Sequence, residues 1–415
     1  MRFGLVRLIR VLPFAVLIGV CGCGGGSGPV APPPVANPAV GFAYVTVAAT
    51  SAGGIGSVYE YSVLEDGSIA PLPQVSVSAG VDPAAIALDQ AGRHLYVVNV
   101  GDGTISQYTI AADNSLMPMS PPSIINPGMK TLGAMPSAVV LDFSGSFLYV
   151  ANSGDATISQ FSIGSGGQLT PLTPATVATD TEPMSIAVTA GPSGGHVYVA
   201  NSNISVPTGM GSVSQFSMGA DGTLTPLNPA TVAAGARPVA IAIDQAIAPF
   251  GTAFVMSDCD GPTCTGSIIP FAVGAGGELT AAGGVATTGA HYNAVDMVTD
   301  QSGGSGGNAY VLTNLMGVDT EQGALWQFGV GNTGALSMPP NQPALDIGAP
   351  ALAQALFESR LCVLTSNVAV DGNSGSGGSI NCYTLGASGQ LALAASTMIA
   401  APRPISMAVS FLLPP

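Results

Sequence analysis

Residues 136–172 read PSAVVLDFSGSFLYVANSGDATISQFSIGSGGQLTPL. They contain four short runs rich in β-branched and aromatic residues, separated by turns of Gly, Asp, Asn or Ser, which is the pattern of four consecutive β-strands. A very similar stretch opens at Pro83 (PAAIALDQAGRHLYVVNVGDGTISQYTI), and related stretches open at Pro183 and Pro238. A repeat of about 50 residues with four strands is typical of a β-propeller blade. We name the four strands of each repeat a to d, and we predict an all-β fold.

Two degenerate copies follow, opening near Ala294 and at Pro350, and the strand-b pattern occurs seven times in all (YVTV, LYVVN, LYVAN, VYVAN, AFVMS, AYVLT, LCVLT). The first copy begins at Phe42 and lacks strand a, whereas a strand of that type, PISMAVSF, stands at 404–411. Pairing of the last strand with the first copy would close a ring. We therefore predict one seven-bladed propeller over 41–415, with four antiparallel strands per blade and 404–410 completing blade 1.

The LYVAN and TISQF…G-x-LTPL strings give the chain a recognisable signature. They resemble the lactonase-like, YVTN-type family of bacterial seven-bladed propellers, which includes 6-phosphogluconolactonases. The resemblance covers about 41–415 and implies the propeller fold. These strings form strands and turns, so they indicate the architecture more specifically than an activity.

The chain begins with a secretory leader. Residues 1–22 combine a basic start with an apolar run of about ten residues, which is too short to span a bilayer. The Val20-Cys21-Gly22-Cys23 string resembles a lipobox, so we predict a lipoprotein signal over 1–22 with lipid on Cys23; an ordinary signal peptide is the alternative. The Gly- and Pro-rich stretch 23–40 is predicted to be a tether. We expect an exported protein anchored in a bacterial outer membrane, facing the periplasm or the surface.

The charge composition limits the partners. The chain has 8 Lys and Arg against 23 Asp and Glu, and its net charge is −15. Three of the cations lie in the first ten residues, so the propeller is still more acidic. This excludes nucleic acid as a natural partner, because phosphate binding needs clustered cations. It also argues against an anionic membrane surface and a phosphorylated substrate, so the lipid is the expected membrane contact.

Four cysteines remain beyond the leader and the predicted lipid-bearing Cys23, and an even number in an exported protein suggests disulfides. Cys259 and Cys264 would close a small loop after strand b of blade 5. Alignment of LCVLTS with LYVANS and of SINCY with TISQF places Cys362 opposite Cys382 on neighbouring strands. Zinc is the alternative, but neither CxxC nor His spacing supports it.

The residues that precede the opening proline of each blade should form a ring near the channel mouth. They are Asp82, Met135, Glu182, Arg237, Asn293, Ala349 and Arg403. In a structural interpretation these residues are held extended before proline and their opposite charges pair. In a functional interpretation they bind a carboxylate or hydroxylated ligand, with Arg237 and Arg403 as donors. Long b–c loops in blades 4 to 7 would surround the same face.

An enzyme is harder to derive from the residues. His94 and His196 share one position in the repeat, which favours a structural role, and His291 falls near the predicted ring. A lactonase needs a general base and a cation for the developing oxyanion. His291 with Glu182, Arg237 and Arg403 is the constellation that the sequence offers. The Asp371-Gly-Asn373 string lacks the closing glutamate of a calcium loop, and we predict neither a metal nor another cofactor.

Three functions remain open. The first is a binding module for a polar small molecule, a glycan or an envelope protein, using Asp82, Glu182, Arg237, Asn293 and Arg403. The second is a lactonase-like hydrolase acting on an uncharged lactone, and the third is a structural surface protein. We expect a monomer.

Overall fold

The computed structural model describes residues 37–411, apart from 52, 129–134, 191–194, 206–209, 248–249, 259–264, 291, 301–306, 316–321, 339–343, 358, 367–376, 387–389, 400 and 402. The described residues are strands, turns and connecting segments. None of them belongs to a helix that could cross a membrane.

The predicted closure of the ring is confirmed. Blade 1 contains β1 (Ala39–Val47), β2 (Ile55–Leu64) and β3 (Ile69–Val81) together with the last strand of the chain, β30 (Pro404–Phe411). The sheet order is β3-β2-β1-β30, and Ala43 pairs with Val409 while Val45 pairs with Met407 in the antiparallel sense. The C-terminal strand therefore supplies the inner strand that the first repeat lacks.

The other blades follow in chain order. Blade 2 consists of β4 (Pro83–Leu88), β5 (His94–Asn99), β6 (Thr104–Ile110) and β7 (Leu116–Ile125). Blade 3 consists of β8 (Pro136–Leu141), β9 (Phe147–Asn152), β10 (Thr157–Ile163) and β11 (Leu169–Ala178). Blade 4 consists of β12 (Pro183–Thr189), β13 (His196–Asn201), β14 (Met210–Met218) and β15 (Leu224–Ala236).

Blades 5 and 6 have a divided outer strand. Blade 5 consists of β16 (Pro238–Asp244), β17 (Thr252–Ser257), β18 (Thr265–Val273), β19 (Leu279–Ala281) and β20 (Ala286–Ala290). Blade 6 consists of β21 (Tyr292–Thr299), β22 (Asn308–Leu315), β23 (Gly323–Val330), β24 (Leu336–Ser337) and β25 (Leu345–Asp346). Blade 7 consists of β26 (Ala351–Phe357), β27 (Arg360–Ser366), β28 (Gly378–Leu385) and β29 (Leu391–Ile399).

The seven inner strands form a closed ring. They contact one another in the order β30, β4, β8, β12, β16, β21, β26 and back to β30. The prediction of a seven-bladed all-β propeller with four antiparallel strands per blade is therefore confirmed.

The core lies between the blades. Strand b is buried on both faces, as in β9, where five of six residues are buried. Its side chains point alternately to the two faces, and each face packs against a neighbouring blade. Tyr149 and Ala151 pack against blade 4, while Leu148 and Val150 pack against blade 2. Seven apolar clusters result, one in each interface between neighbouring blades. Burial on both faces explains why the strand-b runs are continuously apolar.

Two repeated hydrogen bonds tie blades 2, 3 and 4 to the next blade. A strand-b tyrosine hydroxyl donates to the carbonyl of a turn glycine at 2.6 Å, in the pairs Tyr96–Gly167, Tyr149–Gly222 and Tyr198–Gly277. A strand-c glutamine side-chain oxygen accepts from a leucine backbone N–H at 2.7 to 2.8 Å, in the pairs Gln107–Leu169, Gln160–Leu224 and Gln215–Leu279. The repeated Tyr and Gln of the sequence are thus structural.

The interface between blades 1 and 2 departs from this rule. Glu60 stands where blades 2, 3, 4 and 6 have glutamine, and it is fully buried. Its carboxylate accepts from the Leu116 N–H at 2.9 Å and from the Gln74 amide at 3.4 Å. Burial raises the pKa of Glu60 to about 7.

Blade 7 departs from the rule in another way. Tyr149 pairs with Gln160 across blade 3, and at the equivalent positions Cys362 pairs with Cys382. The two cysteines form a disulfide with Cα atoms 4.1 Å apart. This predicted pairing is confirmed, whereas Cys259 and Cys264 lie outside the described residues.

Candidate functional site

The pre-proline residues have a common backbone role. The carbonyls of Asp82, Met135, Glu182, Arg237 and Arg403 each accept from the N–H of the residue that follows strand b of the same blade. In blade 7 the Pro350 carbonyl accepts this bond from the Ser366 N–H. Pro350 therefore occupies the ring position of blade 7, and the prediction of Ala349 at that position is wrong by one residue. The degenerate opening of that repeat, which has proline one position early, explains the error.

The expectation of an extended backbone before proline is wrong at three positions. Asp82, Glu182 and Arg237 have φ values of 49°, 54° and 49°. Asp82 and Arg237 are single residues that connect the outer strand of one blade to the inner strand of the next. Such an abrupt change of direction requires the left-handed region, which overrides the usual preference before proline.

The charged side chains of the ring contact b–c loops of their own blades. Glu182 accepts from the backbone N–H of Ile204 and from Ser205. Arg237 lies 3.8 Å from the Asp258 carboxylate, and Arg403 donates to the Ala49 carbonyl at 2.9 Å. These contacts show that the ring residues support the loops. Binding of a ligand by the ring stays a prediction.

The remaining ring members differ in exposure. Asp82 is exposed and Asn293 is half-buried. His291 and most of the long loops of blades 5 to 7 lie outside the described residues.

The two repeated histidines have structural contacts. His94 and His196 begin strand b, and each contacts the residue that ends strand a: His94 Nδ1 lies 2.9 Å from Asp89, and His196 Nδ1 lies 3.5 Å from Thr189. Burial lowers the pKa of His196. Asp89 and Asp142 each accept backbone N–H groups of the a–b turn, as expected of turn residues.

A cavity of about 740 Å³ occupies the central channel at the end that carries the a–b turns. Its walls come from the inner strands of blades 3 to 7, including Val140, Ile186, Ile241, Met297 and Leu356. Side chains that follow the inner strands contribute the polar rim, namely Gln90, Gln245 and Asp300. The described lining includes neither Lys, Arg nor His. The sequence, by contrast, predicts a site at the opposite mouth.

The channel also has a polar backbone surface. Each inner strand pairs with strand b of its own blade on one edge, so its other edge turns toward the channel. Some edge groups bond to the neighbouring inner strand, as where Ser137 donates to the Pro183 carbonyl and Ile241 N–H donates to Ser185. The backbone edges of the inner strands lie among apolar side chains, an arrangement that suits an uncharged, hydroxylated ligand.

Two carboxylates lie where the inner strands of blades 5 and 6 end: Asp244 is the last residue of β16, and Asp300 directly follows β21. Burial, and to a lesser degree the charge of Asp300, raises the pKa of Asp244. Asp244 accepts from the Ala246 N–H at 2.9 Å, and Asp300 accepts from the Asn308 amide at 3.2 Å. Both carboxylates accept hydrogen bonds at the turn between strands a and b, as Asp142 does. Among the described residues no group of three or more His, Cys, Asp and Glu is placed to hold a metal.

A third carboxylate lies within the channel wall, and the sequence analysis missed it. Asp296 is a half-buried residue of β21, directly before the cavity-lining Met297. Burial raises its pKa to about 6. The register places Asp296 in the same repeat position as Ala85, Ala138 and Ala240. A charged residue among alanines was the available signal, but the degenerate sixth repeat hid the alignment.

Comparisons with known proteins agree with this architecture. Residues 44–203 match the model of a family described as "Lactonase, 7-bladed beta-propeller". The chain is similar to the periplasmic gluconolactonase of Pseudomonas aeruginosa, with 16% identity, a TM-score of 0.64 and coverage of 90% of this chain and 100% of that one. It is also similar to a proposed 6-phosphogluconolactonase of Bacteroides fragilis, with 17% identity, a TM-score of 0.62 and coverage of 91% and 99%.

Identities this low establish the fold alone. No curated protein matches the chain. The resemblance to lactonase-type seven-bladed propellers is confirmed.

Proposed function

We propose that this lactonase-like propeller binds an uncharged, hydroxylated lactone in its central channel and hydrolyses it. The observation that carries the proposal is the composition of the channel, in which apolar side chains on the inner strands surround about 740 Å³. A compact sugar lactone matches this surface, because its ring is weakly polar and its hydroxyl groups need neutral donors and acceptors.

The charge of the protein selects among lactones. A phosphorylated substrate would be repelled by the net charge of −15 and by Asp300 at the cavity. The described lining offers no cation to bind the phosphate group. Both gluconolactones and 6-phosphogluconolactones occur among the substrates named for similar structures. We therefore expect the unphosphorylated class.

The proposal is tested by measuring hydrolysis of glucono-1,5-lactone and of its 6-phosphate in parallel. We expect saturable turnover of the neutral lactone and at least about 10-fold lower kcat/KM for the phosphate, since repulsion of about 1.4 kcal/mol suffices. Gln90→Trp narrows the cavity mouth and should raise KM or abolish turnover. The matched control is Gln168→Trp, which changes an exposed glutamine of a c–d turn away from the cavity. Absence of turnover above the uncatalysed rate, or equal loss in both variants, would contradict the proposal.

A binding module at the opposite face remains a second candidate. Four large apolar side chains are exposed there in blades 3 and 4: Met135, Met184, Ile204 and Met210. Glu182 belongs to blade 4 as well. Such a mixed apolar and charged surface suits a glycan or an envelope protein. Thermal stabilisation by an envelope glycan that depends on Arg237 and Arg403 would support this candidate.

We also propose that Cys23 carries a lipid that holds the protein at the outer membrane. The lipobox-like string and the Gly- and Pro-rich stretch after it support this. Radiolabelled palmitate should enter the wild type and not Cys23→Ser, and the variant should move to the soluble periplasmic fraction. Unchanged fractionation of an unlabelled protein would contradict the anchor.

A further inference from the structure

One repeat position on the inner strands is occupied by small residues in six blades and by aspartate in the seventh. It is the first paired residue after a β-bulge that all seven inner strands share. The occupants in chain order are Ala85, Ala138, Ser185, Ala240, Asp296, Ala353 and Ser406. The position borders the channel, and the fold tolerates the smallest side chains there.

Asp296 is held at the channel wall by two backbone groups. Its Oδ1 accepts from the Met297 N–H at 2.8 Å, and its Oδ2 accepts from the Gln354 N–H on the next inner strand at 3.1 Å. Each oxygen keeps a lone pair beyond these bonds. The residue is half-buried on the innermost strand of its blade, directly before the cavity-lining Met297.

A structural role alone does not require a carboxylate here. Ser185 makes the equivalent bond in blade 4, where its hydroxyl accepts from the Ile241 N–H at 3.2 Å. Four blades have alanine and close without any such acceptor. A carboxylate that is partly removed from water costs more free energy than either solution. Joining blades 6 and 7 therefore does not account for a carboxylate in place of serine or alanine.

We propose that Asp296 is the general base that activates water for lactone hydrolysis in the channel. This inference rests on the proposed function. The carboxylate removes a proton from water while the water oxygen bonds to the lactone carbonyl carbon, whose π electrons move to the carbonyl oxygen. The tetrahedral intermediate then reforms the carbonyl and expels the ring oxygen, which takes the proton from Asp296. The product is one hydroxy acid, and the carboxylate is regenerated.

The surroundings keep this base available near neutral pH. The elements packed against β21 are β16, β22 and β26, with smaller contacts to β17 and β18. The titratable groups on or beside them are Arg237, Asp244, Asp258 and Tyr310, while β21 itself carries Tyr292 and is followed by Asp300. Burial, rather than any of these charges, raises the pKa of Asp296 to about 6. A base of this strength is ionised at pH 7 yet still basic enough to accept a proton.

The test compares Asp296→Ser, Asp296→Asn and Ser185→Ala with the wild type. Asp296→Ser keeps an acceptor for Gln354, as Ser185 does for Ile241, so the fold should survive. We expect its kcat for glucono-1,5-lactone to fall at least about 100-fold. Binding of the unreactive gluconolactam, measured by calorimetry, should change less than about 3-fold, which distinguishes a lost base from a lost ligand site. Asp296→Asn should behave in the same way, and Ser185→Ala should retain wild-type kcat.

The pH profile gives a readout that a structural role would not move. Wild-type kcat should rise as pH increases through about 6, and this rise should be absent from the residual activity of Asp296→Ser. A wild type that hydrolyses the lactone alongside equally active Asp296 variants overturns the inference and leaves the proposed function standing. A loss confined to KM or to lactam binding also overturns it. A wild type without turnover removes both proposals.

Discussion

Blades 2 to 4 and the closing blades 7 and 1 meet the same packing requirement with different side chains. In the first group a buried Tyr–Gln pair spans strands b and c and bonds to the next blade, as Tyr149 and Gln160 do. Blade 1 has Tyr44 and Glu60 at these positions, and blade 7 has Cys362 and Cys382. The comparison teaches that the repeated Tyr and Gln provide each blade interface with neutral, directional hydrogen bonds. Where a blade has other residues at these two positions, its interface has a further structural role. In blade 7 this role is a covalent link beside the closing interface.

The disulfide should give the largest difference between the two groups. It closes a segment with a sequence separation of 20 residues. Removing that constraint by Cys362→Ser with Cys382→Ser should cost about 3 kcal/mol of unfolding free energy. Urea unfolding with and without reductant measures the effect. Reductant should lower the midpoint of the wild type by more than that of the double variant, which keeps Cys259 and Cys264; an indifferent wild type would contradict the structural role.

Glu60 should make the interface between blades 1 and 2 sensitive to pH. Its pKa in the folded protein, about 7, lies above the reference value of 4.5, so the folded state binds this proton more tightly. The contribution of Glu60 to stability is therefore fully present below about pH 4.5, declines through pH 7 and is lost above it. Glu60→Gln should add about 2 kcal/mol at pH 8 and almost nothing at pH 4.5. Thermal melts at both pH values give the comparison.

Gln107→Glu is the reverse substitution to Glu60→Gln and serves as its control. It places a carboxylate at the corresponding position of blade 2, where Gln107 donates to the Pro121 carbonyl. Since proline offers no amide like that of Gln74, the variant should be destabilised more at pH 8 than at pH 4.5. Equal stability of both variants with the wild type at every pH would contradict the interface rule.

A smaller effect should come from the tyrosine hydroxyls of the regular blades. Tyr149→Phe removes the hydroxyl bond to Gly222 and leaves that buried carbonyl without its partner. The expected loss is about 1 kcal/mol. Phe254 occupies the equivalent position of blade 5, so the aromatic ring itself fits without the hydroxyl. A loss above about 3 kcal/mol would indicate a packing change instead.

The smallest effect should come from the ion pair on the b–c face. Arg237 and Asp258 are 3.8 Å apart and partly exposed, which gives a weak, salt-screened interaction. Arg237→Ala should change the unfolding free energy by less than about 1 kcal/mol. Lactone turnover, in the proposed channel, should change by less than about 2-fold. A large loss of turnover would move the site to the b–c face.

Much of the fold could be predicted because strands have a fixed period. The pairing of Tyr149 with Gln160 fixes the pairing of Cys362 with Cys382, and the missing first strand requires the last one. The left-handed backbone at Asp82 could not be predicted, since the path between blades overrides the local preference before proline. The channel could not be predicted either, because its walls are strand edges and side chains that the sequence shows only as apolar core.

The most direct test of the account is a crystal structure of the protein with gluconolactam. We predict density for the lactam within the central channel, against Met297 and Ile241 and within reach of the Asp296 carboxylate. Density on the b–c face beside Arg237 and Arg403, with an empty channel, would contradict the account.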